Sequence, residues 1–349
     1  MMPVLRHGRV RAELVTQGNQ PNATSRYSVR REDALRVILR SLPRYPLDPE
    51  GFDRQKALDA HVMRSTDHAD SHFRQMNPSA LRLLAGSGLG LLARGDPASV
   101  QVFERIVRFY CAEGESFSRD YWAACSNLAA AYRLSAQLQD AVELDIAAVQ
   151  SLTEQFGNDD LDTISASNSL ATSLWRLARF DEAIAIQADV VQRRSRIEGQ
   201  TTHSTTQAMA NLAVSLLSAD RVSEAIELLE PFVHAEQDSD GNFDVDILTL
   251  RMNLGTAYSQ SDRFDESKKL LEPVVQQLEI SLGALHPHTL TAQSNLAACL
   301  LGSGDNLSDA IVLLCNVYGG RQASLGETHP DTLDTANLLR DLGVDIASL

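Results

Sequence analysis

The sequence predicts an all-α protein, a right-handed α-solenoid of antiparallel helix pairs with a short N-terminal helical segment. Three observations lead to this prediction. A leucine recurs every 42 residues without slippage, at Leu128, Leu170, Leu212, Leu254, Leu296 and Leu338. Apolar residues directly after each leucine, and four residues after it, mark one face of a helix. A glycine, the residue that best ends a helix, closes each unit at Gly157, Gly199, Gly241, Gly283 and, after a one-residue insertion, Gly326.

Each 42-residue unit is predicted to contain two helices joined by a short turn. The residue after the leucine is small in five units: Ala129, Ala171, Ala213, Gly255 and Ala297. A second column of small residues falls on the second helix, at Ala141, Ala183, Ala225, Ser267 and Ala310. Small residues let two helices approach closely, and a single pair cannot bury its apolar face, so we expect neighbouring pairs to stack.

Composition excludes several classes of protein. The 349 residues are 44% apolar and 22% charged, with 11 Pro and 19 Gly, which fits neither a disordered nor a fibrous chain. A net charge of -15 argues against a nucleic-acid partner, and no run of about 20 apolar residues predicts a membrane helix. The four cysteines form no Cys-x-x-Cys pair and the N-terminus lacks a signal-peptide core, so we expect a cytoplasmic location.

We predict five regions along the chain. They are a basic leader (1–28), an N-terminal helical segment (29–78), a degenerate first repeat (79–117), five 42-residue units (118–336) and a C-terminal capping helix (337–349). Residues 1–60 hold 11 Lys or Arg and 7 Asp or Glu, so the rest of the chain is more acidic than the whole. The leader is either a solvated segment, a segment that docks onto the acidic body, or a contact for a polyanion.

The repeat resembles a known family. Leu282–Leu290 and Leu325–Leu333 both match Leu-Gly-x-x-His-Pro-x-Thr-Leu, and Asn-Leu-Ala stands at the recurring leucine. These residues resemble the 42-residue tetratricopeptide repeat (TPR) of kinesin-light-chain type, over roughly Ser118–Leu349. More weakly, Asp33–Ser71 is similar to the helical junction before the repeats in bacterial NB-ARC/TPR signalling proteins. No Gly-x4-Gly-Lys-Ser/Thr loop occurs in the chain, so the resemblance implies a stand-alone relative or a separated recognition arm.

First-helix residues outside the apolar stripe should face the concave surface of such an array. The residue before each leucine is Asn127, Ser169, Asn211, Asn253 or Asn295. A carboxamide can pair with both the N–H and the C=O of an extended peptide, and the resemblance implies that this column grips a ligand backbone. The alternative is that these asparagines bond neighbouring helices.

Other residues are predicted to give the groove selectivity. They are Arg133, Trp175, Arg176, Gln260 and Arg340. In an acidic protein, arginines could take a carboxylate in a bidentate fashion, and Trp175 could anchor an apolar side chain. The alternative is that the arginines are solvated and that the tryptophan is half-buried in the core.

No metal, cofactor or catalytic group is predicted. His61, His68 and His72 lie close together in the sequence, and a helix would put His68 and His72 on one face, as zinc sites require. The metalloprotease glutamate is missing between them, which favours a polar helix edge instead. The chain also lacks a serine elbow and a glycine-rich loop.

The leading functional prediction is a non-catalytic scaffold that binds an extended peptide or protein segment in the concave groove, including one with acidic or carboxylate-bearing groups. Two alternatives remain open. One is a sensor or interaction arm of a signalling or regulatory complex. The other is an atypical enzyme or accessory protein that modifies a groove-bound peptide.

Overall fold

The computed structural model describes residues 78–93, 95–114, 118–235, 245–304, 306–327 and 329–346. Within these ranges the chain forms α-helices and no strand, which confirms the predicted all-α solenoid. The predicted leader and all but the last residue of the N-terminal helical segment lie outside the described residues. The array described below belongs to one compact unit, Gly88–Leu349.

The helices alternate between first and second members of a pair. Two helices precede the periodic array: α1 (Pro78–Ala93) and α2 (Ala98–Glu113). The first helices are α3 (Arg119–Leu134), α5 (Leu161–Arg176), α7 (His203–Ser218), α9 (Val245–Gln260) and α11 (Pro287–Ser303). The second helices are α4 (Leu138–Phe156), α6 (Phe180–Ile197), α8 (Val222–Ala235), α10 (Phe264–Leu282) and α12 (Leu307–Leu325). Helix α13 (Pro330–Asp341) follows the last pair.

The small-residue columns are sites of close packing between the helices. Every alanine of the column after the leucine is fully buried in the five units, as are Ala141, Ala183, Ala225, Ser267 and Ala310 of the second column. At Gly255 even a methyl group would be too large, because an added Cβ would lie 2.6 Å from Cγ of Leu271. The predicted close approach of the helices is therefore observed on both columns.

Glycine and proline separate successive units as the sequence predicts. Gly157, Gly283 and Gly326 follow second helices with φ of 87°, 91° and 92°, a region that favours glycine. His286 then caps α11, where its Nδ1 accepts a hydrogen bond from the backbone N–H of His288 at 3.2 Å. Proline fills the first turn of that helix, where a missing N–H has no cost.

The turn inside each pair relies on left-handed residues that are not glycine. Ala136 and Ala178 have φ of 57°, and Asp220 and Asp262 have φ of 60°, at the same position of four units. Two backbone hydrogen bonds fix each turn. In one of them the N–H of Arg179 donates to the carbonyl of Leu174 at 3.0 Å. These bonds satisfy the last carbonyls of the first helix, and this offsets the strain of the left-handed residue.

An arginine–glutamate pair closes the same turn in three consecutive units. Nε and Nη2 of Arg179 donate to the two carboxylate oxygens of Glu182 at 2.6 and 2.7 Å. The pairs Arg221–Glu224 and Arg263–Glu266 repeat this fork at 2.6–2.7 Å. These arginines are therefore engaged at the start of the second helices, and their carboxylate-binding edges are already occupied.

The first helices line the inner side of the array. Consecutive first helices contact one another, most extensively α7 with α9, whereas the described second helices make no comparable contact with one another. Helices that approach more closely along one side curve the stack toward that side. Within this unit the first helices therefore lie on the concave side.

Replacing Ala178 by glycine should stabilise the protein by about 0.5–1 kcal/mol, because glycine removes the cost of the left-handed conformation. The free energy of unfolding from urea titration measures this. The matched control is Ala188→Gly, an exposed position within α6, where the same exchange should destabilise by about 1 kcal/mol. Equal losses at both positions would contradict the description of the turn.

The cap at His286 should make stability depend on pH. Burial, followed by the charge of His288, lowers the pKa of His286 below 6.5. The folded state therefore favours the neutral ring, whose contribution is complete above the unfolded pKa and is lost as the pH falls through the folded pKa. We expect the melting temperature of the wild type to fall more steeply than that of His286→Asn, which keeps a cap without titrating. Parallel melting curves across pH 7.5 to 5 would exclude this contribution.

Candidate functional site

The candidate site is the exposed side of the first helices, which we call the inner face. It comprises the residues five before, one before, and two, five and six after each recurring leucine. Its exposed members include Ser165, Arg176, Gln207, Val214, Ser218 and Gln260. The groove residues predicted from the first helices all belong to this face.

The predicted asparagine column connects neighbouring first helices. Nδ2 of Asn211 donates to Oδ1 of Asn168 at 3.4 Å, and Nδ2 of Asn253 donates to the carbonyl of Ala210 at 3.3 Å. Nδ2 of Asn295 donates to Oγ1 of Thr256 at 3.0 Å. Each bond reaches back to the preceding first helix. Of the two readings offered by the sequence, helix-to-helix bonding is thus observed.

This bonding uses only part of each carboxamide. The Oδ1 atoms of Asn211, Asn253 and Asn295 accept no hydrogen bond from the described residues, and one N–H of each amide is also left over. A donor and an acceptor therefore remain on each side chain. The helix contact orients these groups. Asn211 and Asn295 are partly exposed, whereas Asn253 is buried, with 7% of its surface exposed.

The column differs at its ends. Asn127 is partly exposed on α3, and Ser169 is partly buried on α5, where its hydroxyl accepts from Nη1 of Arg133 at 3.2 Å. Arg340 is exposed on α13, and its Nη1 donates to Oδ1 of Asn337 at 2.6 Å. Gln260 is exposed at the end of α9. These four side chains are spread over the length of the face and do not form one cluster.

Arg133 is held at the base of the inner face by a buried network. Its Nη1 lies 3.2 Å from Oδ2 of Asp145 on α4 and 2.8 Å from Oγ of Ser173 on α5. The Ser173 hydroxyl in turn donates to Asp145 Oδ2 at 2.5 Å. Asp145 is fully buried, and only 15% of the Arg133 side chain is exposed. Three helices thus position one guanidinium.

Burial and nearby charge shape the electrostatics of this network. Burial raises the pKa of Asp145, whereas the Ser173 hydrogen bond and the Arg133 charge oppose that rise. Burial lowers the pKa of Arg133; the Asp145 charge raises it, and the charge of Arg176 lowers it further. Arg176 is itself exposed on the same face. Two guanidiniums therefore lie near each other, and the carboxylate in contact with Arg133 is buried.

Trp175 lies beside this pair and joins two first helices. It is half-buried, and its Nε1 donates to Oγ of Ser218 on α7 at 2.9 Å. The polar end of the ring is thereby satisfied, and the remaining ring surface is apolar. The ring also packs against the core cluster of Val142, Ala171, Leu174 and Ala183, so the half-buried position that the sequence offered as the alternative is observed.

Charge is divided between the two kinds of helix. The five first helices contain three acidic residues, Asp120, Asp162 and Asp246, each at the second position of its helix. The five second helices contain fifteen. Beyond the first turn, the charged residues of the first helices are Arg133, Arg176 and Arg251. In a chain of net charge -15, the inner face is therefore neutral to cationic.

The three histidines that the sequence brings together, His61, His68 and His72, lie outside the described part of the chain. Among the described residues, no three His, Cys, Asp or Glu side chains converge as metal ligands would. None of the helices in the described ranges combines the length and apolarity needed to cross a bilayer.

Sequence reasoning missed Asp145, although a signal was present. Stepping by 42 residues from Asp145 leads to Gln187, Leu229 and Leu271, and then, with the insertion, to Leu314. All five are buried. A carboxylate in a buried column that carries leucine in its last three units indicates a polar partner in the core, and Arg133 supplies it.

Comparison with known proteins identifies the repeat. The family model described as Tetratricopeptide repeat matches residues 122–196 and 246–315. These two stretches of the array are tetratricopeptide repeats. The predicted resemblance is therefore confirmed for the repeat. No curated protein matches the TPR chain significantly in sequence.

Solved structures share this TPR fold. A kinesin-light-chain-like protein of Podosopora anserina with nearly identical TPR-like repeats is 25% identical, with a TM-score of 0.50 over 60% of this chain and 97% of its own. The apo form of the quorum sensor NprR from B. thuringiensis is 13% identical, with a TM-score of 0.54 over 90% and 82%. NprR in complex with its cognate peptide NprX is 10% identical, with a TM-score of 0.50 over 98% and 93%. The two NprR likenesses show the fold alone.

Proposed function

We propose that this TPR protein is a recognition scaffold that binds an extended peptide or protein segment along its inner face. The main support for the proposal is the unequal distribution of acidic residues, which are few on the first helices and many on the second helices. An acidic protein that keeps acids away from one continuous face leaves that face suited to a neutral or anionic ligand. The TPR fold itself, shared with the peptide-bound NprR, supports the same class of partner.

The asparagine column supports an extended ligand. Asn211, Asn253 and Asn295 occur in consecutive units, and each keeps a free acceptor and a free N–H. The side chains are already oriented by their bond to the preceding helix, so little side-chain entropy is lost when a ligand binds. An extended backbone offers donors and acceptors in regular alternation, which such a column can match.

The arginine pair supports a ligand that carries a carboxylate. Arg133 and Arg176 place two cations on one part of the inner face, beside the apolar ring of Trp175. A ligand carboxylate there would meet guanidinium donors in the bidentate geometry that arginine favours. A neighbouring apolar side chain of the ligand would contact Trp175. Gln260 and Arg340 would contact later parts of a long ligand.

A cytoplasmic location belongs to the same proposal. All four cysteines, Cys111, Cys125, Cys299 and Cys315, are free thiols. Free thiols are typical of proteins in a reducing compartment.

Removing three carboxamides should separate groove binding from any other mode. Decapeptides selected from a synthetic random library on the wild-type protein serve as probes. Asn211→Ala/Asn253→Ala/Asn295→Ala should weaken their binding on the order of 100-fold in fluorescence anisotropy, at about 1 kcal/mol per lost hydrogen bond. Asn316→Ala, on the exposed side of α12, is the matched control and should leave affinity unchanged. Unchanged affinity in the triple variant would refute the groove model.

A separate experiment tests whether the ligand binds through a carboxylate. Each selected decapeptide is compared as free acid and as C-terminal amide, and with each Asp or Glu replaced by Asn or Gln. We expect one of these neutral forms to bind about 10-fold more weakly, because a charge-assisted pair is lost. Arg176→Gln should remove the difference, whereas Arg196→Gln, an exposed arginine on α6, should retain it. Equal binding of all neutral and charged forms would reject a carboxylate ligand and leave peptide binding intact.

A further inference from the structure

One buried position changes from polar to apolar along the array. Asp145 is fully buried, and the equivalent residues of the later units are also buried: Gln187, Leu229, Leu271 and Leu314. The residue that faces this position changes in parallel. Ser173 contacts Asp145 and Ser215 is its equivalent in the next unit, whereas Ala257 and Cys299 occupy the equivalent positions of later units. The fold thus accommodates an apolar pair at this place, whereas the first two junctions have polar residues there and the first of them has a carboxylate.

Packing alone does not explain the aspartate. A buried carboxylate loses its hydration, and well-packed apolar residues in place of a buried ion pair are often as stabilising or more so. Oδ1 of Asp145 has no hydrogen-bond partner among the described residues, which adds to the free-energy cost of burying the carboxylate. The position therefore has a role other than filling the core, and the contacts of its second oxygen indicate which one.

Oδ2 accepts from Nη1 of Arg133 and from the Ser173 hydroxyl, which itself accepts from the same Nη1. Nη1 donates to Asp145 and Ser173, and lies 3.2 and 3.5 Å from the hydroxyl and carbonyl oxygens of Ser169. Nε and Nη2 donate to none of the described residues. In a planar guanidinium these two nitrogens form one edge, and that edge binds a carboxylate through two parallel hydrogen bonds. Fixing Nη1 therefore fixes the direction of the free edge.

We propose that Asp145 is a positioning residue that clamps Nη1 of Arg133 so that the Nε–Nη2 edge faces a ligand carboxylate on the inner face. This inference rests on the proposed function, since it concerns the same groove. Ser173 completes the clamp by accepting from Nη1 and donating to Asp145. Without the clamp, the side chain of Arg133 would rotate freely. Ordering it when a ligand binds would cost conformational entropy and would reduce the affinity.

Two substitutions separate positioning from packing. Asp145→Leu places at this site the residue found at three of the four equivalent positions, so the core is filled while the clamp is removed. Asp145→Asn keeps an oxygen that accepts from Nη1 and from Ser173 while the negative charge is removed. Ser173→Ala, again the residue of a later unit, is a third variant that weakens the clamp without a change in charge. Thermal unfolding confirms that each variant is folded.

The first measurement needs no ligand. In the wild type, the side-chain 15N resonances of Arg133 should report a rigid guanidinium whose rotation is slow. Asp145→Leu should make this group mobile, whereas Asp145→Asn should retain its rigidity. Equal rigidity of Arg133 in the wild type and Asp145→Leu would overturn the inference, and the proposed function would be unaffected.

The second measurement uses one selected decapeptide and its carboxamide analogue. Asp145→Leu should weaken binding of the carboxylate form about 10-fold and leave that of the analogue unchanged, with Ser173→Ala in between. Asp145→Asn should restore the affinity for the carboxylate form to within about twofold of the wild-type value. Asp145→Leu combined with Arg133→Gln should be no worse than Arg133→Gln alone, because the two residues act as one unit.

The experiments distinguish failure of the positioning role of Asp145 from failure of the proposed peptide binding. If Arg133→Gln lowers carboxylate binding and Asp145→Leu does not, the positioning role is overturned while the groove model stands. If Asp145→Leu and Asp145→Asn lose affinity equally, the charge of Asp145 matters and the clamp does not, which also overturns the inference. If no library peptide binds the wild type, the proposed function fails, and the inference fails with it.

Discussion

The close approach of neighbouring helices at the small-residue columns is the constraint on which the rest of the structure depends. Ala171 and Ala213, like their equivalents, have no exposed surface, and Gly255 leaves no room for a methyl group beside Leu271. A helix pair that packs at this distance has the same register against each neighbour. The same residue of every unit therefore reaches the same side. This is why a column in the sequence becomes a row on the surface.

Two kinds of turn preserve that register, and they differ in how visible they are in a sequence. The turns between units use glycine, as at Gly157 and Gly283, and the sequence predicts them because glycine favours positive φ. The turns within units place Ala178 or Asp220 in the same region of φ, and no residue type common to the four units marks the position. The backbone hydrogen bonds that stabilise these turns depend on the helix geometry of the whole pair.

The repeat, the buried columns and the asparagine column were predictable because each is periodic, and a period shows which residues share a face. The anchoring of Arg133 was not predictable, because it depends on a single aspartate, Asp145, in a buried column of the second helices that has no other acid. Asp145 lies 12 residues further along the chain, on another helix, and its contact with Arg133 requires the crossing of α3, α4 and α5. Periodicity averages over units, so it hides the position where one unit differs.

The distribution of charge follows from the same geometry. On the concave side, first helices lie close to one another, so acids there would repel across short distances. On the second helices, acids such as Glu182 and Glu224 are exposed and are paired by nearby arginines. Among the described residues, Asp145 is the only carboxylate that pairs with an arginine of the inner face. It is buried, and it contacts Nη1 of Arg133. An acid in that place neutralises part of the arginine charge without covering its free edge. This arrangement orders a cation and keeps it available, whereas an exposed partner such as Glu182 occupies the edge of Arg179.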